Sequence, residues 1–98
     1  MLRHVVLLKW NEDATAEQIE SVVSGMRALP AAIPQIRSYE VGRDLGLRDG
    51  AYDLGLVAEF DDADAWRTYL AHPDHVEVVA NRITPIMADR ASVQFDLG

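Results

Sequence analysis

The opening run Leu2-Arg3-His4-Val5-Val6-Leu7-Leu8-Lys9-Trp10 puts apolar residues on both faces of any strand it forms, Val5 and Leu7 on one and Val6 and Leu8 on the other. Such a strand belongs in the middle of a sheet and needs cover above and below. A chain of 98 residues has room for one core, so a single domain over residues 1–98 is expected, with this run as its central strand.

The elements that follow show what can supply the cover. Thr15 with Gln18 three residues on makes a capping box, and Ile19, Val22, Val23, Met26 and Leu29 recur at helical spacing, predicting a helix over 15–29. Pro30 and Pro34 bracket a connector. Ile36 to Arg43 reads as a strand, followed by a polar, glycine-containing loop over 44–51. Tyr52, Leu54, Leu56, Ala58 and Phe60 then alternate with Asp53 and Glu59, the clearest period-two pattern in the chain. Asp61 or Asp62 can cap a second helix whose inward stripe is Trp66, Tyr69 and Leu70. Pro73 breaks that helix, with His72 at the cap. A third helical segment is expected from Pro73 to about residue 88, interrupted at Pro85, and a last strand over 90–97.

The order β-α-β-β-α-α-β predicts an α+β fold, a ferredoxin-like split βαβ arrangement with a four-stranded antiparallel sheet and its helices on one face. The helices leave the second face of the first strand uncovered. A large apolar face in water is unusual for a monomer, so a homodimer packing sheet against sheet is expected.

Charge and composition narrow the function classes. Nine basic against 16 acidic residues give a net charge of −7, which opposes binding to a phosphate backbone and sets nucleic acid aside. No apolar run reaches the roughly 20 residues of a membrane span. The first segment holds His4 and Lys9 and has no small-residue cleavage site, so it reads as a strand rather than a signal peptide, and a cytoplasmic location is expected. With no cysteine there is no disulfide framework and no thiolate metal site. Neither a nucleotide-binding glycine loop nor a nucleophile elbow is present, so no cofactor and no acyl-enzyme are expected.

The segments RHVVLLKW, LPAAIPQIRSYEVGRDL, YDLGLVAEFDDADAWRTYLAHPDH and VQFD together resemble the stress-responsive dimeric α/β-barrel (Dabb) family over essentially the whole chain. The resemblance implies the ferredoxin-like fold and a dimeric α/β barrel. It leaves activity open, because the family holds a plant heat-stable stress protein as well as polyketide cyclases of the olivetolic acid cyclase type. In the cyclase branch a tyrosine and a histidine form the working pair, which carries over onto Tyr69 and His75. A first-strand histidine and a last-strand aspartate that line the pocket look like His4 and Asp96. The first helix here has no aromatic residue where the cyclases have a pocket tyrosine, which points to a different substrate shape.

The pair suits proton abstraction beside a carbonyl. In the first turn of the third helix, His75 meets the positive end of the dipole, which favours the neutral base. Tyr69 can donate to the oxygen on which charge develops. Asp96 can accept from a histidine and hold its tautomer, and Trp66 is a further candidate for contact with an apolar or aromatic small molecule. Each residue also has a plain structural reading. Tyr69 shares a stripe with Trp66 and Leu70 and fits a core aromatic; His4 fits a satisfied core histidine; His72 and His75 fit helix-start hydrogen bonds; Asp96 fits an exposed strand end. His72, Asp74, His75 and Glu77 are spaced closely enough to raise a metal, but Pro73 separates the imidazoles and no metal site is expected.

Overall fold

The computed structural model describes residues 1–98. β1 (Leu2–Trp10), β2 (Ser38–Arg43), β3 (Leu54–Phe60) and β4 (Met87–Asp96) form one antiparallel sheet in the order β2-β3-β1-β4. The two-sided apolar run therefore does occupy an interior strand. α1 (Ala16–Ala32), α2 (Ala63–Ala71) and α3 (Pro73–Glu77) lie on one face, the ferredoxin-like arrangement.

Strand register assigns the faces. Leu2, His4, Val6 and Leu8 of β1 stand opposite Phe60, Ala58, Leu56 and Leu54 of β3, and these look toward the helices. Along β3 the burial alternates strictly, with Leu54, Leu56, Ala58 and Phe60 buried and Gly55, Val57 and Glu59 half-buried. The outer face carries Val5, Leu7, Val57, Val93 and Phe95, with one ion pair from Arg3 to Glu59. Leu7, Val93 and Phe95 there are exposed.

α1 begins as its capping box requires: Gln18 N–H donates to Thr15 Oγ1 at 3.2 Å and Thr15 N–H to Gln18 Oε1 at 2.9 Å. It ends later than the sequence suggests, running through Pro30 to Ala32. A proline deletes one helical hydrogen bond near this end, but stopping at residue 29 would strand Ile33, which is fully buried and whose N–H reaches Leu29 O at 2.9 Å. Asp62 caps α2 through Ala65 N–H, at 2.9 Å. β3 starts at Leu54 rather than Tyr52, because the Asp53 carboxylate turns to accept Trp10 N–H at 2.8 Å.

The third helical segment departs most from expectation. α3 gives way to a π-helical stretch over Val78–Ile83 and a 3₁₀ turn over Thr84–Ile86, and β4 starts at Met87 rather than Arg90. The wider turn lets Val78 and Ile83, five apart, both face the core. It also lets Arg82 reach back five residues to Glu77 at 3.0 Å and across to Ser21 O at 3.1 Å. Arg82 passes over Gly25 of α1, where a Cβ would stand 2.8 Å from Nη1.

Candidate functional site

Between the sheet and the helices lies a cavity of about 160 Å³ with sixteen lining residues, twelve of them hydrophobic. With the two tyrosines counted among those twelve, the side chains that bring polar groups come from six elements: His4 from β1, Tyr39 from β2, Tyr69 from α2, His75 from α3, Thr84 from the 3₁₀ turn and Arg90 from β4. Tyr69, His75 and His4, singled out in the sequence, thus meet at one cavity although up to 71 positions separate them.

Tyr69 holds the centre. It is 1% exposed, and its ring packs against His75 at 4.3 Å between centroids and Phe60 at 5.0 Å. Its hydroxyl is 2.8 Å from that of Tyr39. Burial pushes Tyr69 up to about 12 and Tyr39 further still, so both phenols are neutral at physiological pH. Either hydroxyl can be the donor of that bond. Tyr39 escaped the sequence reading, because only the β2-β3-β1 strand order brings it to Tyr69.

The two histidines are held in opposite tautomers. His75 Nδ1 is 3.1 Å from Leu70 O, and a carbonyl only accepts, so Nδ1 carries the proton and Nε2 keeps its lone pair. Burial lowers the His75 pKa, outweighing the opposite pull of that carbonyl, and His72 lowers it further. His4 is 5% exposed, and its Nδ1 lies 3.3 Å from Trp66 Nε1 and 2.9 Å from Gln94 Nε2. An indole N–H only donates, so His4 Nδ1 accepts and the ring proton is on Nε2. Burial, reinforced by His75, depresses the His4 pKa to about 4.

Three further sequence candidates land elsewhere. Trp66 does not line the cavity; it stands behind His4 and fixes that ring. Asp96 is exposed and outside the cavity, accepting from the N-terminal amine of Met1 at 3.3 Å and from Gly98 N–H at 3.0 Å. The expectation that it lines the pocket and orients a histidine is corrected by register: Asp96 pairs with Leu2, while Gln94, one step closer, pairs with His4 and makes that contact. His72 caps α3 through Asp74 N–H at 3.1 Å. No group of three or more His, Cys, Asp or Glu side chains converges as a metal site would need, and no helix is long and apolar enough to cross a membrane.

Comparison with known proteins gives the family context. The family described as Stress responsive A/B Barrel Domain matches residues 2–97. An uncharacterized protein of Streptomyces coelicolor is 37% identical over 82 residues, 82% of this chain and 84% of its own length. The stress-response A/B barrel domain-containing protein HS1 of Arabidopsis thaliana is 27% identical over 78 residues, 78% of this chain and 72% of its own. A crystal structure of a dimeric ferredoxin-like protein from Thermobifida fusca is similar at a TM-score of 0.90 and 46% identity, over 98% of this chain and 90% of that one.

Proposed function

This chain belongs to the stress-responsive A/B barrel domain family, and from that premise and the chemistry of its cavity we propose that it binds a small apolar or aromatic molecule and catalyses cofactor-free proton transfer next to a carbonyl, as a polyketide cyclase-type reaction requires. The observation that carries this reading is the convergence of a neutral, tautomer-fixed imidazole and a buried phenol on one apolar cavity. His75 Nε2 would take a proton from the carbon beside the carbonyl; the C–H electron pair becomes the C=C of the enolate and the carbonyl π pair moves onto oxygen. Tyr69 would donate to that oxygen, with Tyr39 donating in turn to Tyr69, a chain in which each bond polarises the next. His4, held by Trp66 and Gln94, would present its Nε2–H as a second donor.

Exchange of the protons next to the carbonyl of phenylacetone into D₂O, followed by proton NMR, tests the chemistry. Tyr69→Phe is expected to slow protein-dependent exchange on the order of 10²-fold and His75→Ala about 10²–10⁴-fold. Unchanged exchange in both variants at unchanged melting temperature would sink the catalytic reading.

The same reading includes a homodimer formed through the outer sheet face. Its support is the exposed Leu7, Val93 and Phe95 on that face and the dimeric description of the Thermobifida fusca structure. A non-catalytic stress-response or scaffold role is the second reading, and one observation favours it: the Tyr69 hydroxyl is already satisfied inside the core by Tyr39. Under that reading Tyr69→Phe lowers stability and leaves ligand signals untouched.

A further inference from the structure

We infer that Arg90 makes this a site for a carboxylate-bearing ligand, a single ring or short chain whose acid group sits against the guanidinium at the β4 side of the cavity. The inference rests on the small-molecule-binding reading above and names the substrate class.

Arg90 is the one formally charged side chain among the lining residues; the remaining polar groups are two neutral imidazoles, two neutral phenols and a threonine hydroxyl. In register it stands opposite Leu8, which places it on the helix side of the sheet. No carboxylate lies within ion-pair distance of it, in a chain carrying 16 acidic residues. The adjacent Asp89 faces the other way: Tyr52 donates to its Oδ2 at 3.2 Å, and its Oδ1 accepts the backbone N–H of Arg90 at 2.8 Å. The guanidinium is thus left exposed beside an apolar cavity, with its fork of donors unused by the fold.

Size bounds the rest of the ligand. A cavity of roughly 150 Å³ accepts a benzene ring, and this one, at about 160 Å³, has room for a comparable body. A ring among the aliphatic side chains, with its acid at the mouth on Arg90, would share the cavity that Tyr69 and His75 also line. A carboxylate there gains a charge-assisted, two-pronged contact that a neutral isostere lacks.

The test is equilibrium binding of a matched pair, phenylacetate and phenylacetamide, to the full-length protein by calorimetry at low salt. Tighter binding of the acid by about tenfold or more is expected, from the ~1.5–3 kcal/mol of a hydrogen bond to a charged group. Arg90→Gln should abolish the preference through a loss of acid affinity much larger than any loss for the amide, and Arg90→Lys should restore part of it. Equal affinities in the wild-type protein, parallel losses for both probes in Arg90→Gln, or no binding of either probe would each overturn the inference. Failure of the enolisation reading shows separately, as proton exchange indifferent to Tyr69→Phe and His75→Ala while the acid preference persists.

Discussion

β3 and β4 both pair with β1 along its length, yet one is the most buried strand of the protein and the other the least. β3 alternates buried and half-buried residues, whereas every β4 residue after Met87 is exposed. The difference lies in the helices, whose layer covers β2, β3 and β1 and stops short of β4. Sequence follows from this: the helix-side positions of β3 are Leu54, Leu56, Ala58 and Phe60, and those of β4 are Arg90, Ser92, Gln94 and Asp96. β4 thereby adds the one charged side chain of the cavity lining, Arg90, and Gln94 reaches His4 from it. On the proposed reading, stability and binding chemistry are divided between neighbours of the same strand.

The sharpest way to break that division is truncation on each side. Phe60→Ala on β3 is expected to cost about 3–5 kcal/mol, because the ring is fully buried against Tyr69. Ser92→Ala on β4 is expected to stay within about 0.5 kcal/mol. Urea denaturation of both variants checks this, and a Ser92→Ala loss well above 1 kcal/mol would mean the helix side of β4 is covered after all.

His4 joins the two regions and gives the next effect. Its folded-state pKa, about 4, lies below the unfolded value of 6.5, so between those values the unfolded chain binds the extra proton. Stability is therefore complete above about pH 6.5 and falls as the pH drops toward 4. A lowering of this size is worth at most about 3 kcal/mol, less whatever solvent screens. His75, shifted in the same direction by burial, adds to the same slope. His4→Gln should flatten the fall in melting temperature between pH 7 and pH 4.5; a variant with the wild-type slope would remove His4 from the account.

On the opposite side of β4 the expectation is reversed, because Val93 and Phe95 are apolar there and exposed. Val93→Lys should weaken the proposed dimer by about 2 kcal/mol or more, as a charge does when forced into an apolar interface. Light scattering would then give the 10.9 kDa mass of one chain at concentrations where the unaltered protein gives twice that. A wild-type protein already at one chain's mass would end the proposal of a sheet-to-sheet dimer.

What the sequence made legible follows the range of the interactions. The capping box at Thr15 and Gln18, the alternation over 54–60 and the break at Pro73 are local, and they set the order of elements and the ferredoxin-like fold. The π-helical turn after α3 was hidden because Arg82 bonds both along its own segment, to Glu77, and across to Ser21 on α1. The site was legible in part for the same reason. Tyr69 and His75 sit on adjacent helices joined by His72, so their meeting is nearly local. Tyr39, Gln94 and Arg90 depend on strand register across 30 to 90 positions, which no periodicity records. Asp96 shows the limit well: parity puts it on the helix side of the sheet, and one further step along β4 carries it past the cavity to the N-terminus.

The finest cut at the comparison is Gln94→Ala, which removes the β4 contact to His4 and leaves the Trp66 contact in place. Both donors act on the Nδ1 lone pair and so stabilise the neutral ring; losing one costs about 1 kcal/mol and lets the His4 pKa rise toward its ordinary value. Because Trp66 still donates to Nδ1, the tautomer should survive, with the proton on Nε2 in the neutral ring. Two-dimensional ¹H–¹⁵N NMR of the imidazole through a pH titration reads both quantities at once. A raised pKa with an unchanged tautomer would make Gln94 a tuning contact and Trp66 the tautomer lock. If the tautomer flips instead, β4 holds the histidine and the indole merely packs against it.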